Sequence, residues 1–187
     1  MKINQFPGLF SIGRKDSLWR GYRHLRHTWG VGEFGFHCET FILPEDREQL
    51  EAAMEKEDRP FILKPPNWYC GIGIKLINRV GTNINSTHTE RINYYLITDQ
   101  IPSKEKDCKV IVQEYIPNPL LIDDLKFDVR IYVLMTSIEP LKLYIFEDGL
   151  VRFSTEKYSS RMEDLANVFI HLTNYTVNKE SFYISKK

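Results

Sequence analysis

No run in this 187-residue chain is long and apolar enough to span a membrane. The opening MKINQFPGLF has no basic segment followed by a long apolar stretch, so neither an anchor nor a signal peptide is expected. Charge of one sign does not dominate either: 25 Lys and Arg balance 25 Asp and Glu. Without a global field toward nucleic acid or acidic lipid, any charged partner has to be met by a local patch. Cysteine is scarce. Cys38, Cys70 and Cys108 are far apart and odd in number, with no C-x-x-C spacing and no neighbouring histidine cluster. They read as free thiols of a reducing compartment rather than as a disulfide framework or zinc site. Asn85-Ser86-Thr87 and Asn174-Tyr175-Thr176 fit the glycosylation pattern, which a cytosolic chain would not use.

What is present suffices for a folded core. Hydrophobic residues make up 42% of the chain and aromatics 13%, and a chain of this size can bury roughly 70% of its unfolded surface as one large domain or two small ones.

The stretch VIVQEYIPNPLLIDDLKFDVRIYVLMT, Val110 to Thr136, organises the rest. VIVQEYI is nearly continuously apolar and β-branched, as in a central strand covered on both faces. Pro117 and Pro119 then end the ladder in an extended turn. In the second half Phe127, Val129, Ile131, Val133 and Met135 alternate with Lys126, Asp128, Arg130 and Tyr132, the pattern of a half-buried strand. On its wet face two cations flank a carboxylate. That arrangement suits a solvated strand with an ordinary cross-strand ion pair, and equally a polyanion site on a rigid element.

Elsewhere Lys15 to His27 reads as a helix with Leu18, Tyr22 and Leu25 on its apolar stripe, and with Arg20, Arg23 and Arg26 on a face either solvated or set to meet an acidic tail. Phe34 to Leu43 reads as a strand. Pro44 to Glu57 reads as a structural helix with Pro44 in its first turn and Leu50, Ala53 and Met54 facing inward. Phe61 to Lys64 and Ile74 to Ile77 read as strands joined by a loop containing Gly71 and Gly73. Residues 81–109 form a polar insertion without a motif, longer than an ordinary loop. Leu141 to Phe146, a turn at Glu147-Asp148-Gly149 and a return at Leu150 to Ser154 suggest an antiparallel meander with the preceding strand. Met162 to Leu172 reads as a short helix.

Five blocks in order, QEYI, PLLID, KFDVRIYVL, GLVRF and HLTNY, with INQFPG and GRKD before them and Glu139-Pro140-Leu141 between, resemble the tubulin tyrosine ligase-like family. The glutamylating branch is the nearer likeness. The resemblance implies an α+β, ATP-grasp-like fold with mixed and antiparallel sheets and flanking helices, incomplete at the C-terminus. Residues 1–58 would be the N-terminal part of the ligase domain, and 59–187 the nucleotide-binding part.

The resemblance also implies ATP and magnesium as cofactors. Lys64, a mobile point charge, would meet phosphate together with Gly71, Gly73, Ile74, Lys126 and Asp128, the last orienting Lys126 or organising the metal-nucleotide site. Gln113, Glu114, Tyr115 and Ile116 would hold adenine through backbone groups, with the Tyr115 and Ile116 side chains also read as core. Thr173 and Asn174 would line the nucleotide. Arg152 and Tyr175 would bind the incoming amino acid, a guanidinium being suited to bidentate carboxylate recognition. Catalysis would rest on Lys126, Asp128 and Arg152. The loop departs from the family pattern around Cys70 and Ile72; a lost charged hydrogen bond there is worth about 1.5–3 kcal/mol and implies a weaker grip on phosphate.

No metal ligand is assigned in this chain: the family's acidic ligands are expected C-terminal to HLTN. The implied reaction is phosphorylation of an acceptor carboxylate and attack on the acyl phosphate by the amine of free glutamate, with acidic tubulin tails as acceptors. The corresponding expectations are a monomer, cytoplasmic and cytoskeletal, at the cilium or basal body, with no nucleic-acid or membrane partner. The alternative is a catalytically inactive fragment or pseudoenzyme that binds tubulin.

Overall fold

A computed structural model describes residues 6–56, 59–66, 71–77 and 109–179, with the side chain of Met162 excepted. The insertion, except Lys109, and the segment 180–187 lie outside the described residues, as do Cys70 and Cys108. The chain forms two compact units. One comprises residues 1–69 and 73–115, the other 70–72 and 116–187.

The first unit is built on a four-stranded sheet in the order β1-β4-β2-β3, with β1 at Thr40–Leu43, β2 at Phe61–Lys64, β3 at Lys75–Ile77 and β4 at Val110–Glu114. Every pairing is antiparallel. β4 lies between β1 and β2, as its continuous apolar run requires: Val110 and Val112 are fully buried toward one face and Ile111 is buried toward the other. On the first face helix α3, Arg47–Lys56, packs Leu50 and Met54 against Phe41, Leu43, Phe61 and Leu63, with Ala53 beside them. On the second, Trp19 and Tyr22 of helix α2, Lys15–Trp29, pack on Ile42. A four-residue helix α1, Phe10–Gly13, precedes α2.

Four expectations change here. The buried stripe of α2 runs through Asp16, Trp19 and Tyr22, while Leu18 and Leu25 are exposed; the large indole, rather than the flanking leucines, seals the sheet. The arginine face is tied into the fold by ion pairs while its side chains stay partly exposed. Arg20 pairs with Glu45, Arg23 with Asp46 at 2.9 Å and Arg26 with Glu39 at 2.9 Å. Pro44 lies before α3 rather than in it: the Leu50 amide bonds to the Asp46 carbonyl, so the helix starts from Asp46. The strand expected from Phe34 is confined to Thr40–Leu43, because 34–37 instead fold onto Tyr22, whose hydroxyl bonds to the Phe34 carbonyl and accepts from His37 N–H.

The second unit is a three-stranded antiparallel sheet, β5-β6-β7, with β5 at Leu121–Ile122, β6 at Leu125–Ser137 and β7 at Lys142–Lys157. Asp123 and Asp124, both at positive φ, make the two-residue turn between β5 and β6, a backbone region Asp tolerates better than bulky residues do. The expected meander is a single long hairpin. Leu150 to Phe153 return to pair with Phe127 to Arg130, and Glu147-Asp148-Gly149 is an irregularity within β7, not a turn between strands. Gly149 explains it: a Cβ there would stand 2.5 Å from the Arg130 carbonyl oxygen, so the strand can continue only with glycine at this approach.

The alternation along β6 holds, but its burial does not. Val129, Ile131 and Val133 are more than half exposed, as are their cross-strand partners Val151 and Ile145. The expected helix at Met162–Leu172 divides into a 3-10 turn, Met162–Asp164, and helix α4, Val168–His171, because the Asn167 side chain caps the second piece by accepting from Phe169 N–H at 3.1 Å. Helix α5, Tyr175–Asn178, follows. Helices and antiparallel sheets together make the fold α+β; the mixed sheet of the expectation is not found among the described residues.

Candidate functional site

In the first unit the site residues form a polar line on the α2 side of the sheet. Alternation puts Lys64, Gln113 and Thr40 on one face, where Thr40 and Gln113 are cross-strand partners. Lys64 Nζ donates to Gln113 Oε1 at 2.6 Å, and Gln113 Nε2 donates to Thr40 Oγ1 at 2.9 Å. Lys64 is therefore fixed, not the mobile charge expected. Burial pushes its pKa down; Cys38 opposes that and Lys15 adds to it.

Lys15 was not singled out by sequence, although it lies in the quoted GRKD block. At the start of α2, its ammonium donates to the Pro65 and Pro66 carbonyls, each at 3.4 Å, and burial lowers its pKa against the attraction of Asp16. Two lysines from distant parts of the chain thus stand close enough to perturb each other where β2 enters the glycine loop. Such an arrangement favours an anion.

The segment expected to hold adenine is partly committed to the fold. Glu114 N–H donates to the Glu39 carbonyl and Tyr115 N–H to the Pro60 carbonyl, and the Glu114 carboxylate pairs with Arg59. Tyr115 is core, whereas Ile116 is exposed rather than core. A base recognised here would have to use other backbone groups than those two amides. Gly73, at positive φ, and half-buried Ile74 lead into β3.

In the second unit Asp128 and Arg152 are cross-strand partners. Arg152 Nε donates to Asp128 Oδ1 at 2.8 Å and its Nη2 donates to Oδ2, so the guanidinium that Asp128 orients is that of Arg152. The carboxylate raises the Arg152 pKa. Lys126 is held by its backbone: its N–H donates to the buried Ser154 hydroxyl at 3.1 Å, and that hydroxyl donates to the Glu156 carbonyl at 3.0 Å.

Gly71 and Asn174, both expected at the nucleotide, meet. Gly71 has φ +82°, and a Cβ on it would stand 2.9 Å from Asn174 Oδ1 and 2.9 Å from Val177 Cγ2. Only glycine allows this approach, and the neighbour it admits is a side chain. Thr173 and Asn174 are half-buried in the extended link between α4 and α5, while Tyr175 is exposed.

This ordered set, a loop glycine seated on an asparagine and a strand arginine oriented by a carboxylate, coincides with a match of the tubulin-tyrosine ligase family model across residues 1–187. The chain belongs to the tubulin-tyrosine ligase family. It is 43% identical over 181 residues to the tubulin monoglutamylase TTLL4 of Mus musculus, a match covering 96% of this chain and 13% of that relative. It is 39% identical to the human tubulin polyglutamylase TTLL5 over 180 residues, covering 96% of this chain and 12% of the relative. With the tubulin polyglutamylase ttll-4 of Caenorhabditis elegans it shares 37% over 179 residues, 95% of this chain and 26% of that protein. The chain therefore spans a minor part of the length of these curated relatives.

For a tubulin-tyrosine ligase family member the cationic and glycine elements fit a nucleotide. Among the described residues no group of three or more His, Cys, Asp or Glu could hold a metal ion. Cys38 is a free thiol, and no helix among the described residues is long and apolar enough to cross a membrane.

Proposed function

We propose that this chain is the nucleotide-binding part of an ATP-dependent tubulin-glutamate ligase with an ATP-grasp-like fold. What carries the reading is the family match across all 187 residues, to relatives named as tubulin glutamylases. On this reading Lys64, Lys126 and the glycine loop bind phosphate, the backbone of Gln113 to Ile116 binds adenine, and Thr173 and Asn174 line the nucleotide. The acceptor carboxylate on a tubulin tail takes the γ-phosphoryl group, and the amine of free glutamate displaces phosphate from the resulting acyl phosphate, forming an isopeptide bond. Arg152, turned by Asp128, holds the carboxylate of that glutamate, beside Tyr175. Magnesium accompanying the nucleotide would neutralise phosphate charge; none of these residue roles is routed through it. We place the protein in the cytoplasm with the tubulin cytoskeleton, at the cilium or basal body, as a monomer.

The test is calorimetric titration with a non-hydrolysable ATP analogue, alongside incorporation of labelled glutamate into tubulin. Saturable nucleotide binding lost in Lys126→Ala is the expected result. A chain that captures tubulin tails with no affinity for nucleotide would instead be a binding module.

A further inference from the structure

Asn178 is one of the few fully buried polar side chains of the second unit, and its amide makes bonds in three directions. Nδ2 donates to the Leu172 carbonyl at 2.7 Å and to the Asn174 carbonyl at 3.1 Å, while Oδ1 accepts from Thr155 Oγ1 at 2.9 Å. Leu172 and Asn174 bracket Thr173 in the extended link between α4 and α5. Thr155 lies on β7, three residues after Arg152. One amide thus ties both ends of the link to the strand that carries the arginine, and Asn174 in turn receives Gly71.

We infer that Asn178 is a positioning residue for the nucleotide site, setting Thr173 and Asn174 against the tip of the glycine loop. This rests on the function proposed above. The chemistry is specific to an amide. The Leu172 carbonyl and the Asn174 carbonyl, which also accepts from the Val177 and Asn178 amides, take two donors from one point, with Thr155 finding its acceptor beside them; aspartate keeps the acceptor and volume but loses both donors. A loosened link would let Asn174 leave Gly71, and the loop tip would lose its seat.

The 187-residue chain titrated with a non-hydrolysable ATP analogue decides the matter, with each variant's melting temperature measured in parallel. Asn178→Asp is expected to weaken binding at least about tenfold, the equivalent of one lost positioning hydrogen bond. Leu165→Ala, which removes core packing in the same unit, should lower the melting temperature and leave the affinity of the folded chain unchanged. If Asn178→Asp melts lower yet binds as the parent does, its role is structural only and the inference fails. Should Asn178→Asp not fold, Thr155→Val removes the tie to β7 alone; about threefold weaker binding is expected, and unchanged binding overturns the inference. A parent chain that binds no nucleotide overturns this inference and the proposed function together, an outcome distinct from a variant that binds normally.

Discussion

The two units both build antiparallel sheets and reach opposite results. In the first, short strands of four and five residues, β1 and β4, are covered on both faces, and Ile42, Phe61, Val110 and Val112 have no measurable exposure. In the second, strands of 13 and 16 residues present an apolar face of Val129, Ile131, Val133, Ile145 and Val151 that is mostly exposed. Pairing satisfies the backbone in both, but only coverage excludes water from side chains. The first unit therefore carries a core, and the second is held by hydrogen bonds, ion pairs and a small cluster around α4.

That contrast is broken most directly by truncation. Phe61→Ala should destabilise the first unit by about 3–5 kcal/mol, since it empties a closed core. Ile145→Ala, at 72% exposure, should cost less than about 0.5 kcal/mol. Urea unfolding of each variant measures both. Similar losses would mean that the hairpin face is covered in solution.

The next effect sharpens the comparison from the polar side. Asp46 is buried, accepts from Ile42 N–H at 2.9 Å through Oδ2 and pairs with Arg23 through Oδ1. Asp46→Ala should cost about 1.5–3 kcal/mol, the range for hydrogen bonds to a charged group. A loss near zero would show that the arginine face of α2 is ornamental rather than part of the fold.

This is also where the sequence was hardest to read. The positions of β2, β3 and β4 and the Leu50-Ala53-Met54 stripe follow from local sequence pattern, and they were legible. The partners of Arg20, Arg23 and Arg26 were not, because a cation on a helix face looks the same whether it meets water, a ligand or Glu39, Glu45 and Asp46. Glu147-Asp148-Gly149 has turn chemistry, but the glycine was needed for the close approach of the Arg130 carbonyl, a long-range fact. Among the candidate site residues, the motif blocks singled out Gly71 and Asn174, which the fold brings together, and Arg152, which pairs with Asp128. Ser154 and Asn178 were missed because a small buried polar residue gains its meaning only from carbonyls and hydroxyls elsewhere in the fold.

A third effect separates the units by pH. His171 is buried, and its Nε2–H donates to the Asp164 carbonyl at 3.1 Å. Burial lowers its pKa and Lys126 adds to that, while the Asp164 bond and charge oppose it. The unfolded chain then binds the proton more readily than the folded one, so stability from this group is present above its ordinary value near 6.5 and is lost as pH falls through the folded value. Melting of the second unit should drop on acidification from neutrality, and His171→Phe should flatten that dependence. Parallel pH curves for parent and variant would exclude His171 as the cause.

A small change in stability is also expected at the pair closest to the proposed chemistry. Asp128 and Arg152 have side chains 38% and 34% exposed, so water screens their attraction and Asp128→Asn should change stability by less than about 1 kcal/mol. Orientation is another matter. Two guanidinium N–H groups are fixed by the two carboxylate oxygens, and an amide presents only one oxygen to them, so the fork would lose its bidentate hold. If Arg152 receives the carboxylate of free glutamate, Asp128→Asn should raise the glutamate concentration needed for half-saturation while leaving the melting temperature nearly unchanged. A variant with unaltered glutamate dependence would reduce the pair to a cross-strand contact of the hairpin, and the second unit would then have no distinguishing claim on the amino acid.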